Sequence, residues 1–212
     1  RRNKKLLFGL REGCMAEHLE EEIIRPIDTR DGIKVVVDNR FIMTSDLSNL
    51  SIQARKLLYL TISHCRREDD RFFTYELSPA LLAEKLNIKR NHLYEMSQKI
   101  TGELLGKTIL IEDIERKKYT GYTIFSKCSY DHDKMFRMKF NPDMSEFFLG
   151  LKESFTQVLL DDFMRMKSVY SLPIWHLMEM KMHGRKPGTR KIEFDISIDE
   201  LRMVTGTQKK LK

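Results

Sequence analysis

Residues 78–107, SPALLAEKLNIKRNHLYEMSQKITGELLGK, carry the signature of a helix-turn-helix. Ser78 followed by Pro79 is a helix start, with a hydroxyl to cap the first turn and a ring already set to helical φ. Such a motif needs a small residue where its helices touch, a residue tolerant of positive φ in the turn, and apolar anchors on the second helix. Ala83, Asn87, and the pair Leu93 and Met96 meet these needs in order. That register leaves Lys89, Arg90, Asn91 and His92 at the exposed head of the second helix, where backbone N–H groups and basic side chains both favour phosphate.

The flanks extend the pattern. Residues 51–64 place Ile52, Leu57, Leu60 and Ile62 near helical spacing behind a capping Ser51, and residues 72–77 form a short strand-like run. Downstream, residues 108–113 and 120–130 are predicted strands joined by the basic loop 115–119, the one-dimensional form of a wing. The order helix, strand, helix, helix, strand, wing, strand is that of a winged helix. Residues 33–43 read as a strand followed by a polar loop, 137–140 as a strand, and 141–151 as a helix opened by Asn141-Pro142. Residues 154–183 have a helical pattern split at Pro173, with Trp175 as a core anchor and Met164, Met166, Met178, Met180 and Met182 as irregular core filling.

From residue 191 the pattern starts again: an alternating strand at 191–196, Ser197 as cap, a helix over 198–204, and Gly206 where the turn residue belongs. The predicted class is therefore α+β, a winged-helix domain followed by the N-terminal part of a second one. The expected divisions are an N-terminal extension at 1–32, with a short helix at 15–24, a first winged helix at 33–151, and an incomplete second at 152–212. The second recognition helix is expected to lie past the last residue, and Arg1 in place of Met points to a fragment at the other end.

Composition sets limits on function. Thirty-eight Lys and Arg stand against 31 Asp and Glu, a net charge of +7 that suits a polyanionic partner. Cys14, Cys65 and Cys128 are far apart, without zinc or disulfide spacing, and read as free thiols in a reducing cytoplasm. No targeting segment is legible, and no apolar run approaches the roughly 20 residues that span a bilayer. Asp131-His132-Asp133 holds ligand-type residues but lacks a helical His pair or second carboxylate cluster, and no His-x-His metal pair occurs. Neither an enzyme, a metal site nor a cofactor is expected.

Four runs, at residues 49–60, 75–88, 140–151 and 166–179, give the chain a resemblance to the iteron-binding plasmid replication initiators, a family with tandem winged helices. The resemblance implies a first winged helix that mediates homodimerisation and touches the DNA backbone, and a second that reads bases. It implies monomers on direct origin repeats, dimers repressing the initiator's own gene, opening of AT-rich DNA, and recruitment of the host replication initiator and helicase. Leu172-Pro173-Ile174-Trp175 departs from the family, which more often has a basic residue near the tyrosine. The alternatives are a winged-helix transcriptional repressor, or a chain whose first domain is chiefly a dimerisation module.

Candidate contacts to double-stranded DNA comprise three groups besides residues 89–92. Lys117, with Arg116 and Lys118, lies on the wing, where charge equally serves to keep a strand edge from pairing. Lys186, Arg190 and Lys191 flank Pro187-Gly188, either as phosphate contacts or as a soluble turn. Thr207, Gln208, Lys209 and Lys210 stand where the second recognition helix would begin.

Overall fold

The computed structural model describes residues 23–28, 30, 32–44, 47, 49–113, 116–130, 135–182 and 193–207. Its centre is a four-stranded sheet built from β1 (Ile24–Pro26), β3 (Thr74–Leu77), β7 (Phe136–Phe140) and β6 (Phe125–Tyr130), in the order β1-β3-β7-β6. β1 runs parallel to β3, and the other pairs are antiparallel. The sheet's inner side presents Tyr75, Phe136, Met138 and Phe140, all inaccessible to solvent. Phe140 is the hub: its ring lies 4.6 Å from Phe125 in a stacked pair, 4.9 Å from Phe72, 5.2 Å from Phe148 and 5.7 Å from Tyr75.

Two further strand pairs complete the β-structure. β2 (Lys34–Asp38) pairs with β8 (Phe155–Leu159), and β4 (Thr108–Asp113) pairs with β5 (Lys118–Thr123) as the wing. The helices are α1 (Asn39–Thr44), α2 (Ile52–Ile62), α3 (Pro79–Leu86), α4 (Leu93–Leu105), α5 (Ser145–Phe148), α6 (Leu160–Arg165), α7 (Ser171–Met182) and α8 (Ile198–Thr205). The order α2, β3, α3, α4, β4, wing, β5 is the winged helix that the residue pattern predicts.

Several expected boundaries move. The strand predicted for 33–43 stops at Asp38, whose carboxylate accepts the Arg40 N–H at 2.7 Å and so starts α1. Residues 23–28 of the presumed extension join the sheet. Arg25 holds them there through an ion pair with Asp69 and by lying 3.9 Å over the Phe73 ring, while the Asp28 N–H donates to His64 Nε2 at 3.0 Å. Pro26 is tolerated because β1 is an edge strand. The helix expected over 141–151 is a 3-10 turn followed by one turn of α5, ending at Phe148.

The largest difference lies at 154–159. This segment is a strand, with Thr156 and Val158 buried and Gln157 and Leu159 exposed, a period of two. Because β8 zips along all of β2, the chain does not divide at 151/152, and the first winged-helix unit continues past it. Pro173 causes no split either. It is the third residue of α7, in the first turn, where N–H groups have no partner inside the helix. Residues 193–196 form no strand, and the rest of the predicted strand at 191–192 lies outside the described residues.

Burial ties α7 to α2. Arg55 is 2% exposed and donates to the carbonyls of Leu47, Leu50 and Val169, fastening the loop before α2 to the segment before α7. Trp175 is partly buried against the core, as are Met164 and Met166, whereas Met178 is exposed. His176 is enclosed by the rings of Tyr59, at 5.0 Å, and Phe163, at 5.2 Å, with the Tyr59 hydroxyl 3.3 Å from Nδ1.

Desolvation lowers the His176 imidazole from 6.5 to about 3, so the folded protein keeps it neutral while the unfolded chain protonates it below 6.5. The unfolded state therefore holds the extra proton between these values, and stability falls as pH drops through that window. The loss approaches about 1.4 kcal/mol per pH unit. Urea unfolding of His176→Leu should show a shallower decline between pH 6 and 4 than the unsubstituted protein; equal slopes would count against the assignment.

Candidate nucleic-acid interface

The helix-turn-helix forms from local instructions. Ser78 Oγ accepts the Leu81 N–H at 3.2 Å, and Pro79 occupies the first helical position. Leu82, Ala83 and Leu86 are buried on one side of α3. Asn87 then adopts φ 52 and ψ 50, and the turn closes with the Asn87 N–H on the Glu84 carbonyl at 3.1 Å and the Ile88 N–H on the Ala83 carbonyl at 2.8 Å. This reversal satisfies carbonyls that the end of α3 would otherwise leave open.

After the turn Lys89 is extended, Arg90–His92 make one 3-10 turn, and α4 follows. Leu93, Ser97, Ile100 and Leu104 are buried, a stripe at spacings of four, three and four that seats α4 on the body. Lys89, Arg90, Asn91 and His92 are all exposed, as predicted. Neither Lys89 nor His92 caps the turn with its side chain, whereas α2, α3 and α8 each carry a capping serine. Asn91 Nδ2 lies 3.3 Å from His92 Nε2, and His92 Nδ1 is 3.7 Å from Glu95 Oε2. The head of α4 is thus two cations, an amide and an imidazole facing solvent.

The exposed face continues to Tyr94, 61% accessible, then Gln98 and Lys99. The sequence pattern did not single out these three, although Tyr94 and Gln98 stand four apart and thus in one row. The Tyr94 ring approaches Tyr130 at 6.3 Å.

The wing projects from the other end of α4. Its described tip is the turn Arg116-Lys117, with Lys117 at φ 49, and Lys118 opens β5; all three side chains are exposed. Tyr122, on the face turned to the body, donates to Glu146 Oε1 at 3.1 Å and meets the Phe147 ring edge-on at 5.5 Å, fixing the hairpin's base.

Thr207 is exposed but is not part of a helix start. Its N–H bonds the Arg202 carbonyl at 2.9 Å, closing α8 after Gly206 at φ 69. Lys186, Arg190, Lys191, Gln208, Lys209 and Lys210 lie outside the described residues, as do Asp131, His132 and Asp133. Cys65 and Cys128 are free thiols that burial pushes up to about 12, which suits packing rather than reactivity. Among the described residues no three His, Cys, Asp or Glu side chains gather as a metal site, and no helix is long and apolar enough to cross a membrane.

Residues 34–179 match the family described as "Initiator Replication protein, WH1", which is more than half of the chain. The chain belongs to that family. A "Replication initiation protein" of Escherichia coli is 25% identical over 172 residues, covering 78% of this chain and 50% of the relative. The chain therefore spans about half the length of the curated relative it matches. Among solved structures, a crystal structure of the Pi initiator protein in complex with iteron DNA superposes with a TM-score of 0.65 at 17% identity, covering 84% of this chain and 74% of that one. That likeness is one of fold.

Asn87 is the position where the turn is most sensitive to substitution. Asn87→Gly should stay within a few tenths of a kcal/mol of the original protein, and Asn87→Val should cost about 1–2 kcal/mol because a β-branched residue resists positive φ. Denaturant midpoints of the two variants measure the difference.

Proposed function

We propose that this member of the initiator replication family is a DNA-binding replication initiator. It sets the head of α4 and the wing on duplex DNA at repeated sites in a plasmid origin. The observation that carries this reading is the run Lys89, Arg90, Asn91 and His92, exposed together at a helix N-terminus whose opposite stripe is buried. Backbone N–H groups and two cations supply phosphate contacts; the Asn and His side chains, with Gln98 behind them, have donors and acceptors that suit base edges.

In this reading the protein works by binding and distortion, without hydrolysing nucleotide. Occupied repeats assemble several copies beside AT-rich DNA, promote its opening and bring in the host initiator and helicase. A homodimer of the same chain represses its own gene. The E. coli relative's name and the iteron DNA in the Pi initiator complex support this assignment by likeness.

The test is affinity for a duplex carrying the direct repeats of the parent origin, followed by fluorescence anisotropy across a salt series. Charge reversal of Lys89 and Arg90 together should weaken binding at least tenfold and flatten the dependence of log K on log salt by about 0.9 for each phosphate no longer neutralised. Unchanged affinity and slope would leave α4 without a role in DNA contact. Footprinting distinguishes initiation from simple repression: tandem repeats should be protected, and protection of a promoter alone would overturn the initiator reading.

A further inference from the structure

The wing is more than a charged loop. Alternation along its two strands puts Ile109, Ile111 and Tyr122 on the side turned to the body, where Ile109 is 1% exposed. The opposite side holds Thr108 and Leu110 from β4 and Tyr119, Gly121 and Thr123 from β5. Leu110 pairs across the ladder with Gly121 and leans over its bare backbone: a Cβ there would meet Leu110 Cδ2 at 3.3 Å and Thr108 Cγ2 at 3.9 Å. Tyr119 lies two residues nearer the tip on that side, 72% exposed, while Leu110 is 48% exposed. Tyr119 makes no hydrogen bond, ion pair or ring contact among the described residues.

Protection of a strand edge accounts for Lys117 and Lys118. It does not account for a tyrosine ring and a leucine held out in water beside them. A smooth apolar face at the end of a hairpin, tipped by adjacent cations, is complementary to one polyanion in particular. Double-stranded DNA offers phosphates to the lysines and, between base pairs, an apolar slot for a flat ring.

We infer that the outward face of the wing is a wedge that enters the minor groove of duplex DNA, with Lys117 and Lys118 on flanking phosphates and the Tyr119 ring, backed by Leu110, levering a base step apart. The inference rests on the duplex-binding reading above and adds a distortion that binding alone does not require. TA steps resist unstacking least, so the wedge favours AT-rich sequence without reading base edges. Gly121 keeps Leu110 flat against the hairpin, which lets the ring project furthest.

The experiment uses the full chain and a short duplex with an alternating TA core whose adenines carry the fluorescent analogue aminopurine, which brightens when unstacked. Anisotropy on the same duplex reports binding. Saturating protein should raise the aminopurine signal; Tyr119→Ala should bind nearly as well at saturation with a severalfold smaller rise, and Tyr119→Phe should restore it. Lys117→Ala with Lys118→Ala should reduce affinity and salt slope, yet recover the full rise once saturated. Tyr119 is exposed, so its removal leaves the fold intact. Binding without any rise, or an equal rise with Tyr119→Ala, overturns the wedge and spares the duplex-binding reading. No binding to the duplex overturns both.

Discussion

The stacked rings of Phe125 and Phe140 set the position of everything that faces outward on this side of the molecule. Phe140 also touches Phe72, Tyr75 and Phe148, so one side chain joins β3, β6, β7 and α5. Each such ring pair contributes about 0.5–1.5 kcal/mol beyond the area it buries. The next residue adds a backbone pin, the Asn141 N–H on the Ile124 carbonyl at 2.9 Å. Ile124, fully buried, is where the chain leaves β5 and enters β6. A strand that could have run straight from wing to sheet is thereby bent, and the wing becomes a separate hairpin standing away from the core. The site depends on that bend: without it Lys117 and Tyr119 would be carried on an extension of the main sheet.

The parts of the fold legible from sequence are those whose causes are local. Ser78, Pro79 and Asn87 specify the start, direction and reversal of α3 within ten residues, and the exposure of residues 89–92 follows from that turn. The parts that were not legible have distant causes. The segment Phe155–Leu159 alternates as a strand should, but it runs into apolar Leu160 and Phe163, so a helical period fits the longer window equally well. Only its partner β2, more than 100 residues away, selects the strand. The same applies to β1, which is a strand because β3 offers an edge and Asp69 a partner for Arg25. Residues 120–130 look like one strand for the same reason, since β-branched and aromatic residues run through the bend and the pin that breaks them comes from Asn141.

The two helix-turn units show how far local instructions reach. α3 and α8 are both eight residues long, both are capped by serine, and both end in a left-handed residue, Asn87 in one and Gly206 in the other. The following N–H groups, of Ile88 and Thr207, close the same six-residue loop back to Ala83 and Arg202. Yet Leu82 is 1% exposed, and Leu201 at the matching place in α8 is 36% exposed. Identical caps produce identical backbones, while packing differs because α3 has α2 and α4 beside it. Burial of Leu82, Ala83 and Leu86 there fixes the angle at which the chain leaves Asn87, and this angle aims Lys89 to His92 outward. The capped turn alone makes a helix end. The packed turn makes a surface on which charge has a defined direction, and this direction lets a net charge of +7 act as a site rather than as diffuse attraction.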